Sequence, residues 1–325
     1  MNPLAHNISH RFNYPIMPRK FKRIIWLLLV GLGLIVGLAA WLFFHYARPI
    51  GAGVAGPLVG REDFSKPWTD RPVLLVGLGD SVTAGFGARK SYGYFDRLVR
   101  NPADEFPQLR GVCLSAIFHK LTATNLSVSG STSTEVMARQ LSLLSTNGPE
   151  VLGLIVMTTG GNDIIHNYGR TPPREEAMYG ATREQSQPWV ENFGRRLEAT
   201  LTQVKNCFPG GCEIFLANIY DPTDGLGDAE SAGLPAWPEA TQVLAAYNQV
   251  IQDCAARHPE IHLVDMRGAF LGHGIHCTQF WRDHFDWHDP HYWYFTNLED
   301  PNERGYDVIR RLFLLQIAKN KNRFN

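Results

Sequence analysis

The stretch VGLGDSVTAGFG, residues 76–87, joins an apolar run to a turn of small residues. The run begins at Val73 and ends at a glycine, a pattern typical of a short strand that is buried on both faces. Ser81 follows this strand directly and stands between an aspartate and a glycine-rich turn. A lone serine at such a place is most often a helix N-cap, so its role depends on the rest of the chain.

Further apolar runs alternate with segments of helical spacing. Strands are predicted near residues 73–79, 124–128, 152–158, 212–219 and 261–265. The run STEVMARQLSLLS, residues 133–145, is one of the predicted helices, with a serine or threonine cap. Such alternation favours a parallel sheet covered by helices on both faces, hence an α/β fold with three α/β/α layers. Ligands of these sheets bind beyond the carboxyl ends of the strands.

Polar and small residues follow three of the predicted strands. Asp80 and Ser81 follow the first, Gly130 follows the second in SVSGS, and Asn162 and Asp163 follow the third in TTGGND. Acyl transfer needs a nucleophile and hydrogen-bond donors aimed at the developing oxyanion. Ser81 offers the hydroxyl, while its own N–H, the N–H of Gly130 and the amide of Asn162 offer the donors. Asp80 and Asp163 are expected to support these loops through hydrogen bonds to backbone N–H groups.

The three segments resemble, in order, the first three sequence blocks of the SGNH/GDSL hydrolase superfamily. The matching residues are the GDS of residues 79–81, Gly130 and the GGND of residues 160–163, and the resemblance extends over residues 73–318. It implies a flavodoxin-like sheet of five parallel strands, with Ser81 as nucleophile and an oxyanion hole formed by Ser81, Gly130 and Asn162. It also implies activity on esters without a metal or an organic cofactor.

The fourth block of the family departs from this resemblance. The family has Asp-x-x-His-Pro there, whereas the matching segment NLEDPNERGYDVIRR, residues 297–311, has Asn297 at the aspartate and Asp300 at the histidine. A serine hydroxyl needs a nearby base to act at neutral pH. We therefore predict that a histidine from the preceding loop accepts the proton and that Asp300 orients it, as the triad aspartate does.

Five histidines lie in that loop, FLGHGIHCTQFWRDHFDWHDPHYWYF, residues 270–295. His273, between two glycines, is the predicted base, and His276 and His291 are the alternates. Most of these histidines are otherwise interpreted as polar residues of a surface loop. A metal site is a further alternative, although the ligand spacings match no standard site. Its ligands would come from His273, His276, Cys277, Asp283, Asp286 and Asp289.

Residues 24–44, IIWLLLVGLGLIVGLAAWLFF, form an uncharged apolar run. As a helix this run is about 31 Å long, close to the thickness of the bilayer core. Residues 1–23 contain five basic residues and no acid, which predicts a single-pass anchor in the cytoplasmic membrane with an inside N-terminus. A cleaved signal peptide is the alternative. The expected order is a basic tail (1–23), the anchor (24–44), a Gly- and Pro-rich linker (45–70) and an exported hydrolase domain (71–325).

Charge and cysteine content narrow the function further. The formal net charge is +0, and because residues 1–23 carry +5, the remainder carries −5. Without a basic folded part, no nucleic-acid partner is expected. The five cysteines are odd in number, and Cys207 and Cys212 flank FPGG closely enough to close a small loop.

These features predict a membrane-anchored, exported serine esterase or lipase that acts on a small-molecule, lipid or acylated-glycan ester. Acyl transfer to a glycan is the enzymatic alternative. A non-catalytic module that binds a glycan or a partner is the other, because the usual base is absent from its expected place. The polar segment 167–189 is expected to be a lid or binding element. The aromatic run of residues 281–295 either lines the site or covers the sheet edge.

Overall fold

The computed structural model describes residues 18–324. The chain divides into two compact units, Met1–Ala47 and Arg48–Asn325. In the first unit, helix α1 (Arg19–Tyr46) has no buried residue. This helix is long and apolar enough to cross a membrane, a test that a signal sequence also passes. Most of the predicted basic tail, residues 1–17, lies outside the described residues.

A five-stranded sheet forms the centre of the second unit. Its strands are β1 (Val73–Leu78), β2 (Leu121–Asn125), β3 (Leu152–Met157), β4 (Cys212–Ala217) and β5 (Ile261–Val264). They lie in the order β2-β1-β3-β4-β5, and each neighbouring pair is parallel. The sheet and its flavodoxin-like order are confirmed. Strand β2 begins three residues before its predicted position, because this half-exposed edge strand lacks a continuous apolar pattern.

Helices pack on both faces of the sheet. They are α2 (Ser81–Ala84), α3 (Tyr94–Val99), α4 (Leu114–Ile117), α5 (Ser133–Glu135), α6 (Gly161–Ile165), α7 (Arg183–Asn206), α8 (Ala240–Arg257), α9 (Met266–Phe270) and α10 (Glu303–Lys319). A π-helical turn, Val136–Gln140, and a 3₁₀ turn, Leu141–Leu143, continue α5, so the predicted helix there is irregular. Other 3₁₀ turns are Glu62–Phe64, Pro107–Leu109, Glu230–Ala232 and Lys321–Phe324.

Two apolar cores lie on opposite faces of the sheet. On one face α3 and α10 meet, with Tyr94 and Phe313 stacked at a ring-centroid distance of 4.9 Å. On the other face α7 and α8 meet, with Phe193 and Tyr247 stacked at 4.4 Å. The segment before β1 also lies against this body, since Ala55, Val59 and Phe64 are buried there.

The carboxyl ends of β1 and β3 approach each other closely. Gly79 has a φ of +126°, and a Cβ at this position would lie 1.9 Å from the carbonyl oxygen of Thr158. Only glycine fits such a contact with such a backbone conformation. The close approach brings the residues that follow the two strands to one edge of the sheet.

Candidate active site

Ser81 is the first residue of α2, directly beyond β1. Asp80 caps this helix: its Oδ1 accepts hydrogen bonds from the N–H of Val82 at 3.1 Å and from the hydroxyl of Thr158 at 2.7 Å. Burial raises the pKa of Asp80 to about 6, and the nearby carboxyl of Asp300 adds to the rise. The Asp80 side chain thus ties the nucleophile turn to the end of β3, the supporting position that the sequence suggests for it.

Asn162 lies beside Ser81 in the wall of one cavity. It is buried, and its Nδ2 donates to the carbonyl of Ser131 at 3.0 Å. An amide NH₂ group has two donors, so this bond leaves one for an oxyanion. Gly130 precedes Ser131 in an exposed turn, has a φ of +82° and is not among the cavity-lining residues. The structure therefore brings Ser81 and Asn162 together and places Gly130 next to the residue that holds Asn162.

Asp163 lies at the centre of a buried polar network. Its carboxylate accepts from the N–H of Ser133 at 2.8 Å and from the Ser133 hydroxyl at 2.5 Å. Arg196 of α7 lies 3.4 Å away, yet burial keeps the pKa of Asp163 raised. The carboxylate fixes the start of α5, and with it the loop that carries Gly130, which is the supporting position suggested for Asp163.

Gln140 joins two of these loops, although no sequence pattern indicated it. Its Oε1 accepts from the N–H of Gly79 at 2.8 Å, and its Nε2 donates to the carbonyl of Gly79 at 2.7 Å and to the hydroxyl of Ser131 at 3.2 Å. The side chain is almost fully buried. In this way Gln140 couples the turn before Ser81 to the loop that holds Asn162.

The fourth block places Asp300 beside the nucleophile. The Ser81 hydroxyl interacts with the Asp300 carboxyl and lowers its pKa in part, while burial raises that pKa above its ordinary value overall. Nδ2 of Asn297 donates to Oδ2 of Asp300 at 2.7 Å. Oδ1 of Asp300 is buried and has no hydrogen-bond partner within residues 18–324. Asn297, Asp300 and Ser81 thus follow one another in space, with Asn297 and Asp300 at the positions of the family's aspartate and histidine.

The helix that follows this block holds the loop in position. Oδ1 of Asn302 caps α10 through the N–H groups of Arg304 and Gly305, at 3.0 and 2.9 Å. A Cβ on Gly305 would lie 2.3 Å from the carbonyl oxygen of Trp293, so the position requires glycine. Tyr306 donates to the carbonyl of Phe86, at 2.8 Å, and so ties α10 to the nucleophile turn.

The loop histidines lie elsewhere in the fold. The ring of His273 stacks on Trp293 at a centroid distance of 3.3 Å, and its Nδ1 lies 3.1 Å from the carbonyl oxygen of His291. Nε2 of His276 lies 3.5 Å from Asp228, and Nδ1 of His291 lies 2.5 Å from Asp289. None of these three imidazoles is among the residues that line the cavity with Ser81.

The cavity itself has a volume of 210 Å³. Tyr168 and Tyr179 of the long polar segment line it, which agrees with the binding role expected for that segment. The residues after β4 and the start of α8 form the far wall. In the aromatic run, residues 292–294 are buried in the core instead of lining the cavity.

The residues that could hold a metal ion and the cysteines are not among the residues that line this cavity. Across residues 18–324, the side chains of Glu198, Cys254 and His258 have ligand atoms within 4.8 Å of one another. The histidine and aspartate residues of the loop 273–289 form no such group there. All five cysteines are described, buried and free, so Cys207 and Cys212 do not close a disulfide loop in this structure.

Solved structures with a similar fold have low sequence identity to this chain. A lipolytic protein of the G-D-S-L family from Veillonella parvula is 13% identical, with a TM-score of 0.45, and the match covers 75% of this chain and 97% of that one. A phospholipase A1 from Streptomyces albidoflavus is 20% identical, with a TM-score of 0.46, and the match covers 75% of this chain and 98% of that one. An acetylxylan esterase from Geobacillus stearothermophilus is 17% identical, with a TM-score of 0.47, and the match covers 77% of this chain and 94% of that one.

The search of curated proteins finds no match to this chain. The model of the GDSL-like lipase/acylhydrolase family, in contrast, matches residues 78–308, which is well over half of the sequence. This match begins just before Gly79-Asp80-Ser81 and ends beyond Asp300, so it includes the nucleophile turn, both supporting loops and most of the fourth block. The chain belongs to the GDSL-like lipase/acylhydrolase family.

Proposed function

We propose that this protein is a serine ester hydrolase in which Ser81 attacks the ester carbonyl and Asp300 accepts the serine proton. One observation carries the proposal: the carboxyl of Asp300, which is buried and held by Asn297, is near enough to the Ser81 hydroxyl for that hydroxyl to lower its pKa, and Ser81 itself lines the cavity. Membership of a lipase and acylhydrolase family supports activity on ester bonds.

The proposed reaction has two steps. The Ser81 hydroxyl loses its proton to Asp300 as its oxygen bonds to the carbonyl carbon, and the resulting tetrahedral intermediate carries its negative charge on the former carbonyl oxygen. Protonated Asp300 then returns the proton to the departing alkoxide, which leaves an acyl group on Ser81. Water attacks this acyl group as Asp300 takes a proton from it, and Asp300 then gives this proton to the departing Ser81 oxygen, which releases the acid and restores the Ser81 hydroxyl.

In this proposal, the amide of Asn162 and two backbone N–H groups stabilise the oxyanion. Asn162 keeps one amide N–H available after its bond to Ser131, and the N–H groups of Ser81 and Gly130 complete the proposed hole. Donors fixed before the reaction stabilise the transition state without reorganisation. Asp80 and Asp163 act as supports for these loops.

Asp300 is better placed than the loop histidines to act as the base. A carboxylate with an ordinary pKa is a weak base, but burial raises the pKa of Asp300 and so strengthens it. His273 is held in a stack with Trp293, and burial lowers its pKa. In this proposal, His273 stabilises the loop and takes no part in proton transfer.

Helix α1 anchors the enzyme in the membrane in this proposal. Its length and apolar composition support a membrane span, and the basic residues before its apolar run support a cytoplasmic N-terminus. The domain after residue 47 then lies outside the cytoplasmic membrane, where it acts on esters.

A fluorophosphonate probe, which labels activated serines, tests the mechanism on the full-length chain in detergent. We expect labelling of the wild type, none of Ser81→Ala, and labelling of Asp300→Asn slowed by at least about 100-fold, since general bases contribute about 10²- to 10⁴-fold. His273→Ala is the matched control and should be labelled at the wild-type rate. Thermal melting of each variant shows whether it is folded.

Two outcomes would contradict the proposal. If folded Asp300→Asn is labelled normally and His273→Ala is not, the base is His273, as the sequence alone predicts. If the folded wild type is not labelled while a known serine hydrolase reacts in the same tube, the protein is a binding module and not a hydrolase.

A further inference from the structure

The cavity extends sideways from Ser81 along the carboxyl edge of the sheet. Its lining includes Ser81 after β1, Thr159 after β3, Asn218 after β4 and Leu244 in α8. Because neighbouring strands lie about 4.8 Å apart, the path from the end of β1 to the end of β4 is about 10 Å long. The cavity is thus a side chamber of the active site, with the nucleophile near one end.

Apolar side chains form most of the chamber wall. They come from α6, from the segment after β4 and from the first turns of α8. These residues are Ile164, Ile165, Ile219, Ala229, Leu234, Trp237 and Leu244. Such a wall favours an apolar group, because each buried methylene is stabilised by about 0.8 kcal/mol relative to water.

Several polar groups of the wall already have protein partners, although the hydroxyl of Thr159 is buried without one among the described residues. The Tyr179 hydroxyl donates to the carbonyl of Pro235 at 2.7 Å, and the Trp237 Nε1 donates to the carbonyl of Ala181 at 2.7 Å. The Tyr220 hydroxyl donates to the carbonyl of Glu299. A sugar placed here would find few free partners for its hydroxyl groups, at a cost of about 1–3 kcal/mol for each polar group left unpaired.

Two carboxyl and amide side chains of the wall are engaged in the same way. Asp221 accepts from the N–H and the hydroxyl of Thr223, at 2.8 and 2.6 Å. Asn218 donates to Asp265 at 2.7 Å and accepts from the N–H of Arg267 at 2.8 Å. These bonds fix the loop that shapes the chamber and turn its polar atoms toward the protein.

The chamber volume of 210 Å³ limits what enters. It is smaller than the about 300–1,000 Å³ of pockets that hold drug-sized ligands. A single extended chain of medium length fits a narrow chamber about two strand spacings long. An acetyl group would leave it largely empty, and a long lipid chain would exceed it.

We propose that this chamber binds the acyl part of the substrate and that the enzyme prefers an unbranched octanoyl ester to an acetyl ester or a hexadecanoyl ester. The inference rests on the proposed ester hydrolysis and adds the class of acyl group. The alcohol part of the ester leaves from the open side of Ser81 and contributes little to this selection.

The first test measures kcat/KM of the full-length wild type for p-nitrophenyl acetate, butanoate, octanoate and hexadecanoate. We expect the value to rise up to about fourfold per added methylene until the chamber is filled, since each buried methylene is worth about 0.8 kcal/mol, and then to fall for hexadecanoate. A profile that is flat, or highest for acetate, overturns the inference.

The second test changes the volume of the chamber. Ala229 is a buried wall residue, so Ala229→Leu should lower kcat/KM for octanoate by at least about tenfold and change that for acetate less than about twofold. Ala236 is exposed in the same segment and is not in the wall, so Ala236→Leu is the matched control and should keep the wild-type profile. Equal loss on acetate and octanoate in folded Ala229→Leu would overturn the inference.

If Ala229→Leu fails to fold, Leu234→Ala is the second variant. Leu234 is a half-buried wall residue, so its truncation enlarges the chamber, and the acyl chain with the highest kcat/KM should become longer than octanoate. An unchanged profile in this variant would contradict the assigned chamber.

A binding measurement separates this inference from the proposed hydrolysis. Calorimetric titration of octanoate into Ser81→Ala, which cannot turn over an ester, should show binding that Ser81→Ala/Ala229→Leu loses. If the wild type hydrolyses no ester but octanoate binds in this way, the proposed function fails and the chamber stands. If acetate is the best substrate and octanoate does not bind, the hydrolase stands and the chamber inference is wrong.

Discussion

In the proposed mechanism, the carboxyl of Asp300 takes the place of the imidazole base of the family. An imidazole has an ordinary pKa near 6.5, whereas an aspartate has one near 3.9. Burial raises the pKa of Asp300 above that value, and the Ser81 hydroxyl opposes part of the rise. Asn297 replaces the family's aspartate and donates to Asp300, as a neutral amide should beside a carboxylate. The amide at position 297 thus supplies the hydrogen-bond donor that the carboxylate at position 300 needs.

Restoring the family's pair tests this match. We expect Asn297→Asp/Asp300→His to keep ester hydrolysis, because the new aspartate accepts the imidazole N–H and the imidazole faces Ser81. We expect the wild-type rate to rise with pH through the raised pKa of Asp300, since only the carboxylate accepts the proton. In the double variant, the pH at which the rate rises should move up toward the pKa range of an imidazole. The pH profile of kcat/KM with octanoate or acetate esters measures this shift.

The single variants serve as controls for this pair. Asp300→His alone faces a neutral Asn297 and should be less active than the double variant, because no carboxylate stabilises the imidazolium. If the double variant and Asp300→Asn show the same low rate and no inflection, position 300 is not the site of the base.

At the residue scale, strand order predicts where Ser81 and Asn162 lie, whereas no comparable pattern predicts where His273 lies. Ser81 and Asn162 follow buried strands, so strand order alone places them at one edge. His273 lies in a long loop without a periodic pattern, and its stack on Trp293 depends on how that loop folds back onto the core. The sequence did bring out Asp300, although as the partner of a histidine rather than as the residue next to Ser81.

At the scale of secondary-structure elements, the irregular helix after Thr132 links the loop of Ser131 to the turn before Ser81. A capping box between Thr132 and Glu135 begins it, and a π-helical turn ends at Gln140. π-helical turns are often found at functional sites. Here that turn presents the buried amide of Gln140 to both polar groups of Gly79. The amphipathic sequence predicts a helix, but its polar Gln140 gives no sign of which loop it meets.

Replacing Gln140 tests its positioning role. Gln140→Ala leaves the N–H and carbonyl of Gly79 without partners, so we expect the free energy of unfolding to fall by about 1–3 kcal/mol for each unpaired group. Because the turn before Ser81 then shifts, kcat should fall about 10- to 100-fold while KM changes little. Steady-state kinetics well below the melting temperature measures this split.

Gln203→Ala, at an exposed position of α7, is the matched control and should leave kcat, KM and the melting temperature unchanged. A folded Gln140→Ala enzyme with wild-type kcat would show that Gln140 contributes to stability alone.

The same scale shows why some strands are predictable. Strands β1, β3 and β4 lie inside the sheet and are almost entirely buried, so β1 and β3 are continuous apolar runs and β4 is apolar except at Glu213. Strand β2 is at the edge and has the polar sequence LTATN, which shifts its predicted position. The chamber wall after β4 belongs to a segment without regular periodicity. The sequence therefore does not predict that its apolar residues line a chamber together with α6 and α8.

At the scale of the whole molecule, the chain joins an apolar helix to a family hydrolase domain. Helix α1 exposes its apolar side chains along its length, which in water would be unfavourable and in a bilayer is favourable. Lys and Arg residues on one side of a span favour the cytoplasmic side. Arg19, Lys20, Lys22 and Arg23 all precede the apolar run. The proposed orientation follows from these two features.

Reporter fusions at the C-terminus test this orientation and the anchor together. We expect an alkaline phosphatase fusion to be active and a fluorescent protein that folds only in the cytoplasm to remain dark, because the positive-inside rule keeps the basic end within the cell. The protein should sediment with membranes at its full-length mass, and a chain that starts at Arg48 should remain in the supernatant and still react with the fluorophosphonate probe. Replacing the four basic residues with glutamine should reduce the exported share. An inactive phosphatase fusion together with a fluorescent cytoplasmic reporter would show the opposite orientation. A product that is shortened at its N-terminus and does not sediment with membranes would show that α1 is a cleaved signal.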